Sequence, residues 1–137
     1  MPVELLVAGF LLAHAAIHVG FIAPPPPATA DGPAWPFSAD RAWPVTRLGL
    51  DPALLRWLAA VLVAATIAGY ALAALTVLGV LPAAIWPVAI AIGSVASLGL
   101  LAACFHPWLA LGVVIDVALL WSCLVVGWQP AASGWGA

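Results

Sequence analysis

The chain has 137 residues, of which 66% are hydrophobic and only 6% charged, with a formal net charge of -2. A soluble domain carries about a quarter charged residues, so this inventory cannot clothe a water-facing surface, and the mean hydropathy of +1.22 points to the membrane. There is no lysine and only three arginines, Arg41, Arg47 and Arg56, which excludes the clustered basic patch that nucleic-acid binding needs.

Four apolar runs follow one another, each near the roughly 20 residues that cross a bilayer as a helix. The first spans residues 3–23 and stops at Pro24-Pro25-Pro26-Pro27, which cannot continue a helix. A secretory signal is the alternative for this run, with Ala28-Thr29-Ala30 resembling a cleavage site. Its N-terminus carries Glu4 and no basic residue, and the run is longer than a signal core, so it is read as a retained helix.

Residues 24–51 form the only long loop. It holds Asp31, Asp40, Arg41 and Arg47, together with Trp35-Pro36-Phe37 and Trp43-Pro44. Proline runs favour extended geometry, and tryptophans favour the headgroup level. The loop is therefore expected to lie over one end of the helices at the membrane interface, a partner-docking role being the alternative.

The second helix opens at Asp51-Pro52, an N-cap followed by proline at the first helical position, and covers residues 52–79. The third covers 83–104, with Pro87 in its first turns, and the fourth covers 107–128, fading at Gly127-Trp128-Gln129-Pro130. Connections of a few residues force antiparallel neighbours. The predicted fold is a single all-α domain over residues 1–137, a four-transmembrane-helix up-down bundle with a long Pro/Trp-rich first loop. Trp57 and Trp108 are expected at the interface on the side of that loop. Trp86 and Trp128 are expected at the other interface, with Trp121 somewhat deeper. The arginine count places the first loop in the cytoplasm, the alternative being that this lysine-free, proline- and tryptophan-rich loop lies outside the cell.

Ionisable groups inside such spans are expensive and mark a protein interior, a wet cavity or a ligand. His14 and His18 lie at i and i+4 on one stripe of the first helix. At 1.5 Å rise per residue, His18 sits about 6 Å nearer the first loop than His14 does. Asp116 lies about 15 Å deeper than His106 on the fourth helix, near the level of His14. His106 is about 80° round from Asp116 at 100° per residue. Arg56, Thr66 and Tyr70 are offered by the second helix, and Gly93, Ser94, Ser97 and Cys104 by the third. The fourth offers a small-and-polar stripe of Gly112, Asp116, Cys123 and Gly127.

An i,i+4 histidine pair presents two imidazoles to one ion, as in many zinc and copper sites. His14, His18 and His106 are therefore candidate metal ligands. Asp116 would orient an imidazole, with Arg56 and Tyr70 in support or in a proton relay. Haem is a further possibility, and it would need His14 or His18 opposite His106. A hydrogen-bonded cluster that fixes helix register without any ligand explains the same residues. Ser94 and Ser97 have no nucleophile motif around them. Cys104 and Cys123 should stand about 24 Å apart in depth, beyond disulfide reach.

The segment His14-Ala15-Ala16-Ile17-His18-Val19-Gly20-Phe21 resembles the first helix of small four-helix bacterial membrane proteins. The run from Phe105-His106-Pro107-Trp108 to Asp116 is similar to the last helix of some of them. The resemblance implies the fold and a bacterial inner membrane, but no activity. The sequence therefore leads to the expectation of a multi-pass membrane protein, an accessory or assembly subunit touching lipid and other membrane proteins. A metal- or haem-binding protein of redox or ion transport is the alternative.

Overall fold

Proline and glycine punctuate this chain, and the helices begin and end where they fall. The computed structural model describes residues 2–24, 37 and 41–130. Helix α1, Pro2–Ile17, tightens into a 3-10 turn at His18–Phe21, and a short α2 spans Trp43–Leu48. Helix α3 spans Pro52–Val77. Helix α4, Trp86–Ala103, and α5, Ala110–Leu124, are each entered through a 3-10 turn. Among the described residues there is no strand. The segments Pro2–Phe21, Pro52–Val77, Ala83–Ala103 and Pro107–Leu124 are each long and apolar enough to cross a membrane.

The start of α3 is as predicted. The Asp51 side chain accepts a hydrogen bond from the Ala53 N–H at 2.8 Å, and Pro52 stands where its missing N–H costs nothing. The chain leaves α3 through Gly79, whose φ of 73° lies in the left-handed region that glycine enters without a Cβ clash.

The fourth long helix ends earlier than the expected residue 128. It stops at Leu124, and Gly127 with φ 71° turns the chain back. The Trp128 N–H then donates to the Ser122 carbonyl at 2.9 Å, and the Trp128 ring meets Trp86 edge-on at 5.0 Å between centroids. Trp86, expected at an interface, faces inward. It is 1% exposed and packs in the core with Ala89, Ile90 and Cys123. Trp57, Trp108 and Trp121 do point outward.

The first loop contains an element the sequence reading lacked. Helix α2 starts at Trp43 with Pro44 in its first turn and closes on Gly49 at φ 69°. Ala42 and Pro44 are buried, and the Trp43 indole N–H donates to the Ala102 carbonyl at 2.8 Å, which fastens the loop to the last turn of α4. Phe37 packs edge-on against Phe21 at 4.8 Å. The prolines at 25–27, the Ala28-Thr29-Ala30 stretch, and Asp31, Trp35, Pro36 and Asp40 lie outside the described residues.

Helices α3 and α4 are the central pair, with α1 packed chiefly on α3 and α5 on α4. Half of the apolar window of α4 is buried but only 17% of that of α5, so the outer helices turn most of their surface outward. Two apolar clusters form. One joins Ala8 and Leu11 of α1 to Tyr70 and Val77 of α3, Ile90 of α4 and Cys123 of α5. The other joins Phe21, Leu55, Val63, Leu100, Cys104 and Leu109. Both cysteines are free thiols, one in each cluster. Between the clusters lies a belt of buried polar side chains.

Candidate functional site

The belt consists of His14, His18, Thr66, Tyr70, Ser94, Ser97 and Asp116, none more than 5% exposed. Four helices supply it. Gly93 sets the spacing, because a Cβ there would lie 3.1 Å from the Tyr70 ring. The Tyr70 ring packs against α4 at Gly93, and its hydroxyl meets Ser94 Oγ at 3.0 Å.

Asp116 is the hub. His14 Nε2 lies 2.9 Å from Oδ1, and the Tyr70 hydroxyl donates to the same oxygen in a short hydrogen bond. Ser97 Oγ lies 2.5 Å from Oδ2. Ser97 in turn meets His18 Nε2 at 2.7 Å, and His18 Nδ1 meets the His14 carbonyl at 3.0 Å. One carboxylate thus joins α1, α3, α4 and α5 in the middle of the structure, where an unpaired polar group would cost several kcal/mol in a medium without water.

The hydrogens of this network can be counted from partner chemistry. A carbonyl only accepts, so His18 Nδ1 carries a proton. Ser97 has one hydroxyl hydrogen and two neighbours. If it donates to Asp116, then His18 Nε2 must donate to Ser97, and the pair is an imidazolium with a carboxylate. If it donates to His18 Nε2, then Asp116 must be a carboxylic acid donating to Ser97. The two arrangements contain the same number of protons and the same net charge. They differ only by a concerted shift of two protons through the Ser97 hydroxyl, so the cluster stays electroneutral in either form while the His14 ring is neutral. In both, His14 donates from Nε2 to Asp116, and its Nδ1 is left with a lone pair. Among the described residues nothing hydrogen-bonds to that nitrogen.

The expected residues divide clearly. His14, His18 and Asp116 come together, with one potential ligand atom from each lying within 4.8 Å of the others. The Tyr70 hydroxyl is hydrogen-bonded to Asp116. His106 stands apart, because it caps the 3-10 turn Pro107–Leu109 with extended backbone and accepts from the Trp108 N–H at 3.3 Å. The 100° step per residue does not run through such a turn, so its expected place as a third ligand is not where the structure puts it. Arg56 is exposed in the first turns of α3. Ser97, which has no nucleophile motif around it, is the bridge between the histidine pair's second ring and the carboxylate.

Thr66 also lies in the belt, fully buried one turn from Tyr70, but its hydroxyl has no hydrogen-bond partner among the described residues. A buried unsatisfied hydroxyl costs about 1–3 kcal/mol, and valine has nearly the same shape. Thr66→Val should therefore raise the unfolding free energy in detergent by about 1 kcal/mol. A loss of stability of that size would mean that the hydroxyl is in use.

Beside the network, between α1 and α5, lies a cleft of about 120 Å³ with both histidines on its wall. It is otherwise apolar, with Phe21, Phe37 and Trp108 among its lining. Gly112 keeps it open, since a Cβ there would come within 4.0 Å of His14 Cε1 and 3.2 Å of Leu101 Cδ1.

No protein-family model, curated protein or solved structure matches this chain.

Proposed function

We propose that the chain is a small multi-pass membrane protein, an up-down bundle of four spanning helices that serves as an accessory or assembly subunit in a bacterial inner membrane. The observation that carries this reading is the closure of the Asp116 network. The polar groups that join the helices are turned inward and satisfy one another, while the outward surfaces of α1 and α5 are apolar. Lipid and other membrane helices are the neighbours such surfaces accept. The alternation of helix ends within the two apolar clusters supports the up-down order.

In this reading the cluster fixes the register of the four helices. Registry is the best-attested use of buried polar groups. A bundle held from inside can present its outer helices to a partner without rearranging.

A second reading is favoured by one observation, the approach of His14, His18 and Asp116 to within 4.8 Å. A transition metal placed there would take imidazole and carboxylate ligands from groups that are already hydrogen-bonded to one another. Haem fits less well, because the adjoining cleft of about 120 Å³ is well below the roughly 300 Å³ at which ligand pockets begin, and His106 does not face the pair.

The test is extraction of the chain from its native membrane in mild detergent. The protein should resist alkaline carbonate, migrate in a stoichiometric complex well above its own 14.0 kDa, and carry less than a tenth of an equivalent of transition metal. Stoichiometric metal or a Soret band would replace this reading with the second. Release by carbonate would overturn the membrane assignment itself.

A further inference from the structure

The cleft between α1 and α5 has features that a purely structural cluster does not need. Two of its lining groups are imidazoles, buried to 5% and 2% exposure, in a wall that is otherwise aliphatic and aromatic. His18 is saturated, with both ring nitrogens engaged. Among the described residues, His14 is engaged at Nε2 only. With a carboxylate fixing that tautomer, the opposite nitrogen is a bare acceptor held in one orientation. This is the arrangement by which a carboxylate prepares an imidazole to receive a proton or a hydrogen bond.

The chemistry of a matching ligand follows from the wall. It must donate a hydrogen bond, since Nδ1 can only accept while the cluster remains electroneutral. It must be uncharged, because a second charge beside Asp116 and His18 would find no water. Its size is that of a single ring, as an apolar cavity of about 150 Å³ accepts benzene and this one measures about 120 Å³. Phe21, Phe37 and Trp108 offer ring faces and edges for aromatic contact.

We propose that this cleft binds the hydroxylated aromatic ring of a membrane-soluble phenol or hydroquinone, whose hydroxyl donates to His14 Nδ1. The apolar tail of such a molecule would leave between α1 and α5, which pack chiefly on α3 and α4 and meet each other at His14 and Asp116. Trp108 beside the ring provides an intrinsic reporter. Gly112 is the residue that sets the room beside His14. The proposal rests on the membrane reading above, because such ligands reach the cleft from the bilayer.

The experiment uses the full chain in lipid nanodiscs with three probes of matched tail, namely 4-octylphenol, 4-octylanisole and octylbenzene. Binding is followed by tryptophan fluorescence and by the ¹⁵N shift of His14 Nδ1, with probe expressed per lipid. 4-Octylphenol should bind at least tenfold tighter than either of the others and should alone move the His14 Nδ1 resonance. Gly112→Val should abolish this difference while the melting temperature stays within a few degrees of wild type. His14→Phe should do the same wherever it folds. Equal affinity for all three probes, or an unchanged preference in folded Gly112→Val, would overturn the proposal and leave the membrane reading standing. A chain that does not enter nanodiscs and is released by carbonate would overturn both.

Discussion

Asp116→Ala should cost about 3–5 kcal/mol of unfolding free energy in detergent, the range for removing one partner of a buried pair. The alanine leaves His14 Nε2, the Tyr70 hydroxyl and Ser97 without their acceptor. Each buried donor so orphaned costs about 1–3 kcal/mol, offset in part because the side chains relax. Asp116→Asn should behave very differently. Its amide oxygen can accept from His14 and Tyr70, while its N–H donates to Ser97, which donates to a neutral His18. That reproduces the arrangement in which Asp116 is a carboxylic acid. One amide hydrogen is left over, so the expected loss is about 1 kcal/mol. Reversible unfolding of the wild type and both variants measures the two differences. Equal losses in Asn and Ala would mean that Asp116 acts through its charge rather than through the hydrogen-bond pattern. If the site instead holds a metal, Asp116→Asn should abolish metal binding in a folded protein.

Gly69→Ala should be the most damaging single-methyl change in the chain. A Cβ at position 69 would lie 2.5 Å from the Gly93 nitrogen, 2.6 Å from its Cα and 2.8 Å from the Ala89 carbonyl oxygen. These are backbone atoms of α4 and cannot swing aside, so the two central helices must separate. Overpacking costs about 1–3 kcal/mol where side chains can yield, and here the upper end or more, about 3 kcal/mol, is expected. Separation would also withdraw Tyr70 from Ser94 and Asp116, coupling the loss to the network. Gly99→Ala is the internal comparison, since its nearest neighbour is a Leu62 methyl at 3.9 Å. It should be neutral or slightly stabilising, because alanine is the better helix former. Thermal unfolding of the two variants side by side decides the matter. Similar effects would contradict the close crossing of α3 and α4.

The meeting of His14 and Asp116 was legible because both depth and face follow from helical rise and twist, and each residue stands alone as a polar group in an apolar run. Asp51-Pro52 fixed the start of α3 for equally local reasons. The role of Ser97 was hidden because a serine inside a helix ordinarily bonds its own preceding turn. Only the position of His18 on a different helix turns its hydroxyl into a bridge. His106 went astray because Pro107 opens a 3-10 turn, and helical arithmetic does not extend through it. The contact of Gly69 with Gly93 was invisible for a related reason, since which small residues meet depends on where two helices cross. Trp86 misled because tryptophan beside a helix start serves an interface or a core equally well. Only the return of Trp128 over it decides between the two.

The most direct measurement is ¹⁵N NMR of histidine-labelled protein in micelles or nanodiscs, resolving three imidazoles. His14 should carry its proton on Nε2 with Nδ1 unprotonated, and His18 should carry one on Nδ1. Both ring protons should exchange with water far more slowly than those of His106. Asp116→Ala should release the His14 proton to fast exchange. Three histidines with the same shifts and the same rapid exchange would contradict a closed Asp116 network joining the helices from within.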